Sequence, residues 1–561
     1  MEYFKPIKFR EEVEQHFKKY FTESHYENIC KALATPPLTT YFRQAKSNNC
    51  ENNETADIAD IDSFKEDIQQ FIDKQYEEKQ WKKMKIQKCP FDKLSNQVLC
   101  FPVENIDKDT FESYKRYEKK VIIDVSCGKS VLRGSDIYAP GLLAMSQNVE
   151  MYDYVSIYID IDSKVLRGSC EPYETNLIYV GNGQILVNRN DIFSKTPQEL
   201  QGMGVKMIDT IYRSPSFGSD KTIDDRVFLQ NLPSLLCSEI LNPKQNQLIL
   251  DMCSAPGGKT MHIANITKNK AKIIAFDKSF PKIVSLNKIL KKHDFTSIKA
   301  YNVDATKLAS QLTKEDCLSL KKPELIMEML NITNNQFSYD TVMQYLPTDK
   351  NKIPINQIKK STIKNIIDDD DYMILNKKIN HLQNVRCSIF PDESFDAILL
   401  DPPCSALGQR PMFLCDMTIE NLLTFHSYQR PLIKVAHRLL KPGGRMVFST
   451  CTFNPKENEE QVAWILENFK DMKLENLRER SSFAKEKIII KNINFKNIDD
   501  IDEQKSIAVS PSIVQKINQY TLRFDPGDSI CFKDDTIGFF ISSFIKKDIS
   551  CKNINKKVRI K

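Results

Sequence analysis

From residue 248 onward the sequence repeats one unit: a short apolar run, a polar turn, then a stretch at helical spacing. The runs are LIL (248–250), KIIAF (272–276), IKAYNV (298–303), FDAILL (395–400), RMVFST (445–450) and TIGFFISSF (536–544). Alternating strands and helices predict a parallel, doubly wound sheet, so the expected class is α/β. The rhythm breaks over 312–388, which includes NNQ, DKNK and DDDD and is read as a low-complexity insertion.

Upstream the texture differs. Residues 9–34 place apolar positions at helical spacing, and the polar, acidic stretch 47–62 reads as a loop. Residues 116–213 read as a small β-rich module. There KKVIIDVSCGKSVLRGSDIYAPG suggests short strands broken by glycine turns, and YDYVSIYIDID and TNLIYVGNG suggest further strands. The division expected for the 561 residues is a helical N-terminal part (1–115), the module (116–213), an α/β domain (214–545) and a basic tail (546–561). That tail carries seven Lys or Arg and one Asp, so a net charge of +6 leaves the rest near neutral. Such a tail can touch phosphates without specificity, or simply be solvated.

Composition excludes several classes. The 15 cysteines include no Cys-x-x-Cys pair, which argues against structural zinc, and no metal is expected. The chain is too long for a disulfide mini-scaffold, so reduced thiols are expected. MEYFKPIKFR lacks the apolar core of a signal peptide, and no apolar run is long enough to cross a bilayer. The expected location is the cytoplasm, with the nucleus as a second possibility, and the expected state a monomer.

In DMCSAPGGKT (251–260) a strand runs through a Pro-Gly-Gly turn into a helix. The glycines allow close approach of a ligand, and the helix start favours negative charge. The stretch is neither G-x-x-x-x-G-K-[ST] nor G-x-G-x-x-G, so a phosphate cradle is not indicated. A ligand with a carboxylate and no phosphate fits better, such as the methionine part of S-adenosylmethionine. Asp277 ends the second run and can accept from ribose hydroxyls. Asp304 follows the third and can accept from an adenine amino group; each acid taken singly reads equally as a helix cap. The cofactor candidates are Cys253, Ser254, Ala255, Pro256, Gly257, Gly258, Lys259, Asp277, Asp304 and Asp401.

Two further runs each end on a cysteine: LLDPPCS (399–405) and FSTCTF (448–453). A lone cysteine after a strand is usually a small buried hydrophobe. Cys404 beside Asp401-Pro402-Pro403, and Cys451 after Thr450, would face the same crevice as the cofactor. Carbon 5 of cytosine is too weak a nucleophile to take a methyl group unaided. A thiolate added to carbon 6 makes it an enamine, an acid at ring nitrogen 3 relieves the charge, and a second thiol helps release the enzyme.

DMCSAPGGKT, LLDPPCSALGQRP and FSTCTFNPKENEEQV together resemble the NSUN (NOL/NOP/Sun-domain) family of RNA cytosine-5 methyltransferases. The resemblance implies a Rossmann-like methyltransferase domain that uses S-adenosyl-L-methionine. It implies Cys451 as nucleophile, Cys404 in release, Asp401 on the base and Lys259 as the active-site lysine. The module, with SVLRGSDIYAPG, YVGNG and ELQGMGVKM, looks like a PUA domain, an RNA-binding β-barrel inserted in one family member. RFDP (523–526) and GFFI (538–541) fit the same relative. The implied substrate is the acceptor stem of cysteine and threonine tRNAs, at the cytosine before the discriminator base, with the 3′ CCA end read by the module. Similar loops in mRNA are a further implied substrate. Unpaired ends suit stacking and edge contacts, and the RNA-binding candidates are Tyr138, Arg133, Lys129, Asn182 and Lys206, each equally readable as an ordinary surface residue. TTYFRQA (39–45) and Leu166-Arg167 depart from the family pattern and bear on the tRNA contacts.

Two other functions share part of these motifs. Asp-Pro-Pro also begins the [DN]PP[YF] motif of amino-group methyltransferases, but that motif wants an aromatic ring where Cys404 stands and needs no second cysteine. A catalytically silent RNA-binding protein would be expected to have lost Cys451 or the Gly-Gly turn, and both are present. The run Glu457 to Glu460 is expected to start a helix, where acids favour the dipole.

Overall fold

The computed structural model describes residues 5–45, 61–219, 221–308, 390, 392–479, 497–500, 505–527 and 537–548. The 312–388 insertion, most of the 47–62 loop and the tail from 549 lie outside them.

The α/β part is built on β1 (Leu248–Asp251), β2 (Lys272–Asp277), β3 (Ile298–Asn302), β4 (Phe395–Leu400), β5 (Leu440–Thr450), β6 (Met472–Leu474), β7 (Leu522–Phe524) and β8 (Phe539–Lys546). Their order is β3-β2-β1-β4-β5-β8-β6, with β7 paired to β8. Strands β1 to β5 are parallel, as expected. The last long run is not: β8 is antiparallel to both β5 and β6. It also extends through Lys546, whose ammonium is buried and donates to the carbonyls of His437 (3.1 Å) and Leu440 (2.9 Å), so that lysine belongs to the sheet and not to a tail. The chain leaves β3 at one edge and re-enters beside β1, so the order reverses between β1 and β4. That reversal opens a crevice at the strand ends. The loops after β1, β4 and β5 all emerge there.

The N-terminal part is not purely helical. Helices Glu11–Lys18 and Glu23–Leu33 occupy the segment of helical spacing, but Thr39–Gln44 is a strand. It pairs with Val98–Pro102 and with Val227–Leu229, a strand from beyond the module. The residues TTYFRQ fit a pleated, half-buried surface, with Phe42 fully buried.

Between them the module forms a six-stranded sheet from residues 120 to 210, in the order 137–138, 203–210, 177–185, 154–160, 120–123, 142–145. The stretch VSCGKSV, expected as strand and turn, is a helix, Val125–Val131. Asp124 caps it by accepting from the Cys127 N–H (2.7 Å). Gly128 is there for packing: a Cβ would lie 2.2 Å from Ile159 Cδ1. Among the described residues no helix is long and apolar enough to cross a membrane.

Candidate active site

The loop after β1 is pinned on both sides. Met252 N–H donates to Leu399 O (3.0 Å) and Ser254 N–H to Phe276 O (2.8 Å). Gly257 sits at φ 104°, and a Cβ there would lie 2.2 Å from Leu286 Cδ1, so space and backbone both require glycine. Helix Gly258–Ile266 then starts with no side-chain cap. Asp277 holds the loop: its Oδ2 accepts from Ala255 N–H (3.2 Å) and its Oδ1 from Ser279 N–H (2.8 Å). Asp251, at the end of β1, accepts at Oδ2 from the Thr260 hydroxyl (2.7 Å), and burial pushes its pKa up to about 7. Asp251 Oδ1 and Ser254 Oγ are buried without a protein partner. Burial, with Asp251, Asp401 and Asp277 nearby, raises the Cys253 thiol well above its ordinary range, which suits a neutral packing group.

An uncapped helix start, an orphaned hydroxyl and an acid at the end of β2 suit the amino-acid and ribose parts of S-adenosylmethionine. The loop 254–258 and Asp277 would hold it. Asp304 caps the turn Ala305–Lys307 through Thr306, N–H at 3.1 Å and hydroxyl at 2.6 Å, with one carboxylate oxygen.

The loops after β4 and β5 meet at their cysteines. Cys404 Sγ and Cys451 Sγ are 3.4 Å apart. The two thiols are pushed in opposite directions. The contact with Cys451, then burial, raises Cys404 well above the ordinary thiol range. Cys451 is lowered, first by the hydrogen bond from Cys404 and further by Gln409 and Lys259, against burial and Asp401. Cys404 therefore keeps the proton and donates it, and Cys451 is the one disposed to be thiolate. Lys259 Nζ donates to Asp401 Oδ2 (2.6 Å), and Ser449 Oγ donates to Asp401 Oδ1 (2.6 Å). Burial alone would lower Lys259, yet Asp401, Cys237 and Cys451 together raise it, so it stays a cation. The structure thus brings Cys451, Cys404, Asp401 and Lys259 together.

The acids of the 457–460 run are not solvent-facing helix-start charges. The helix does begin at Glu459, but Glu457, Glu459 and Glu460 are all buried. Glu459 receives Arg523 on both oxygens, at 2.7 and 2.6 Å, while Arg523 also reaches Phe453 O (2.9 Å). Glu460 accepts from Tyr20 Oη (2.7 Å). Glu457 accepts from Ser405 N–H (2.8 Å), Ser405 Oγ (2.6 Å) and Asn454 Nδ2 (2.9 Å), and burial pushes its pKa up to about 7.

The N-terminal part closes the site from behind. Phe453, two residues past Cys451, packs with Phe17 (4.6 Å), Phe21 (6.1 Å) and Phe9 (6.2 Å). Arg410 is fully buried and donates to Ala32 O (2.8 Å) and Thr35 O (3.0 Å). Arg43 stacks on Phe228 and donates to Gly258 O (3.2 Å). In the LGQRP stretch Gly408 crosses Gly538 so closely that a Cβ would lie 1.9 Å from the Gly538 carbonyl oxygen. The sequence gives no role to Arg410 and Arg43 and places Glu457 only at a helix start; the only signal is charge inside or beside apolar motif segments.

The module's candidates separate. Tyr138 is 44% exposed, with its hydroxyl on Gly218 O (3.2 Å), and Lys206 is exposed. Lys129 is half-buried, and burial, then Arg133, lowers its pKa. Arg133 donates to Arg410 O (2.5 Å), linking the module to the Cys404 loop. Asn182 is a correction: it is buried, and its amide is spent on Lys115 O (3.0 Å), Asp209 Oδ2 (2.7 Å) and the Ser156 hydroxyl (3.0 Å), which removes it as an RNA contact.

Residues 238–323 and 336–501 match the family model described as 16S rRNA methyltransferase RsmB/F. The mouse tRNA (cytosine(72)-C(5))-methyltransferase NSUN6 is 32% identical over 80% of this chain and 78% of its own length. The Homo sapiens protein of the same name is 31% identical, over 85% of each. The rRNA (cytosine-C(5))-methyltransferase NOP2C of Arabidopsis thaliana is 27% identical over 96% of this chain and 90% of its own. The crystal structure of NSun6 from Pyrococcus horikoshii with SFG superposes with a TM-score of 0.57 at 22% identity, over 96% of this chain and 99% of that one, which establishes a shared fold.

Proposed function

The chain belongs to the RsmB/F–NSUN family of S-adenosylmethionine-dependent RNA cytosine-5 methyltransferases, and from that premise we propose that it methylates cytosine 72 in the acceptor stem of tRNA. The relatives named for that cytosine carry the identity and coverage that support this reading. In the mechanism we propose, Cys451 thiolate adds to carbon 6 of the target cytosine. The Lys259–Asp401 pair offsets the negative charge on the ring at nitrogen 3. Bound S-adenosylmethionine supplies the methyl group to carbon 5. Cys404, once it has given up its own proton to solvent, accepts the carbon 5 proton as thiolate, and the electron pair left on carbon 5 restores the double bond to carbon 6 as the Cys451–carbon 6 bond breaks and frees Cys451 as thiolate. The single observation that carries this division of labour is the 3.4 Å contact of the two thiols, which raises Cys404 and lowers Cys451.

The module is read here as a PUA domain that holds the CCA end, with Tyr138 as a stacking surface and Lys206, Lys129 and Arg133 near phosphates or base edges. Cysteine and threonine tRNAs are the substrates of first choice, and CCA-like loops of mRNA a further one. The test is nucleoside mass spectrometry of a tRNA pool incubated with protein and S-adenosylmethionine. The expected result is new 5-methylcytosine at position 72 with wild type and none with Cys451→Ala. Cys404→Ala should accumulate a covalent protein–RNA adduct on a denaturing gel. Methylation of rRNA in place of tRNA would overturn the substrate reading and leave the chemistry standing.

A further inference from the structure

We propose that Glu457 is a positioning residue that holds the Cys404 thiol against Cys451 by tying the residue after each cysteine into one buried carboxylate network. The inference rests on the two-cysteine mechanism above. Ser405 follows Cys404, and Thr452 follows Cys451. Their hydroxyls are 2.8 Å apart. Ser405 gives Glu457 both its N–H (2.8 Å) and its hydroxyl (2.6 Å). Asn454, in the same loop as Thr452, donates its amide to Glu457 (2.9 Å) and its N–H to the Thr452 hydroxyl (3.2 Å). Gln429, from helix Ile419–Leu439, reaches Glu457 Oε2 (3.5 Å) and Pro403 O (3.3 Å), the residue before Cys404. Cys404 is therefore flanked by Ser405, a partner of the carboxyl group, and by Pro403, held through Gln429, and the residue after Cys451 is joined to the same carboxyl group through Ser405 and Asn454.

Ser405, Asn454 and Gln429 all donate to Glu457, and the carboxyl group is fully buried. A buried carboxylate costs several kcal/mol unless its lone pairs are filled, and a donor lost leaves it unpaired. Its surroundings are thus strict about which shape the two loops may take. Glu457 touches neither sulfur in any of these bonds, so apart from its charge, which helps to raise the Cys404 thiol, its effect on the reaction passes through the loops. Cys404 acts late, after the methyl group has moved, and it must meet an adduct already held by Cys451. A loosened Cys404 loop should therefore impair release more than attack. About 1 Å of misplacement of a reacting group can cost on the order of 100-fold in rate.

The experiment compares wild type, Cys404→Ala, Glu457→Gln and Ser405→Ala with tRNA and S-adenosylmethionine. Adducts are read on a denaturing gel, turnover as 5-methylcytosine, and folding by thermal melt. Glu457→Gln keeps the shape but sets an amide N–H₂ against donors. It should accumulate adduct, lower kcat by about 10- to 100-fold and leave both KM values unchanged. Ser405→Ala removes one donor only and should do the same more weakly; it also decides the matter if Glu457→Gln does not fold. Wild-type turnover without adduct in the folded variants, while Cys404→Ala traps RNA, would overturn the role of Glu457 alone. Lost turnover with no adduct would overturn it too, since attack and not release would then be impaired. No adduct from Cys404→Ala would bring down the two-cysteine reading and this inference with it.

Discussion

The crevice and the inserted module use their charged side chains in different ways. At the crevice, buried side chains bond to side chains from distant loops: Lys259 to Asp401, Ser405 to Glu457, Arg523 to Glu459. In the module the half-buried arginines bond to backbone carbonyls, while the buried Asn182 bonds to Lys115 O and to the side chains of Asp209 and Ser156. Arg167 donates to Leu142 O and Ile192 O, and Arg189 to Met145 O and Gly168 O. The first pattern fixes the charge of reacting groups, because each partner can gain or lose a proton or an ion pair. The second only fixes shape. On the function proposed above, recognition by the module would fall to exposed side chains such as Tyr138 and Lys206, whereas catalysis would fall to side chains inside the crevice's bonding.

The sharpest way to break this comparison is to sever a crevice pair that touches no substrate. Arg523→Ala leaves Glu459 buried and unpaired, and should cost about 3–5 kcal/mol of stability. Chemical denaturation checks it. A loss below about 1 kcal/mol would mean that the pair is merely close, as exposed pairs often are. Next is Asp401→Asn, which keeps the shape and an acceptor for Ser449 but removes the charge beside Lys259. Turnover to 5-methylcytosine should fall by about 100- to 1,000-fold, the size seen when one preorganised polar group is lost. Binding of S-adenosylmethionine, measured by calorimetry, should change far less.

The module offers the smaller, paired test. Asn182→Ala should cost about 1–3 kcal/mol of stability through its stranded partners Asp209 and Ser156. It should leave tRNA affinity of the folded protein unchanged. Tyr138→Ala should do the reverse, weakening tRNA binding by about 1–3 kcal/mol, the worth of one stacked base. Fluorescence anisotropy with labelled tRNA separates the two. Equal effects of both variants on affinity would erase the distinction between spent and free side chains.

The same difference explains what could be read in the sequence. The crevice cysteines and Asp401 were legible because each lies within a few residues of its strand end, where order and spacing carry meaning, whereas Lys259, inside the helix after β1, was legible only through the family resemblance. Strands β1 to β4 were legible for the same local reason. Glu457 and Glu459 were not, because a charge at a helix start ordinarily faces water, and their partners Ser405 and Arg523 come from other parts of the chain. Arg410 and Arg43 escaped for that reason too, since the N-terminal segment that buries them is contacted only in the fold. Nothing local marks β8 as antiparallel, because direction is set by the connection and not by the strand's residues. The N-terminal sheet was missed because one of its strands, Val227–Leu229, arrives only after the module. Asn182 failed in the other direction: a polar residue in a glycine-rich strand looks like surface until Lys115, Asp209 and Ser156 close on it.

The subtlest test concerns the thiols, where the crevice pattern predicts a sign for each neighbour. Cys451 is lowered first by the hydrogen bond from Cys404, then by Gln409 and Lys259, and is raised by burial and Asp401. Its alkylation by iodoacetamide should rise with pH as it loses its proton, below the pH needed for an ordinary thiol. Cys404→Ala removes the leading donor and should move that rise to higher pH. Lys259→Ala should move it the same way by less, since Lys259 contributes less. Asp401→Asn should move it to lower pH, because a negative neighbour opposes the thiolate. Cys404→Ser keeps a donor and should restore the wild-type position. Peptide-resolved mass spectrometry reads the Cys451 rate alone. If the curves of wild type, Cys404→Ala and Cys404→Ser coincide, the contact between the sulfurs is steric only. Cys451 would then owe its reactivity to Gln409 and Lys259, and the two loops would be joined by packing and by Glu457, not by a shared proton.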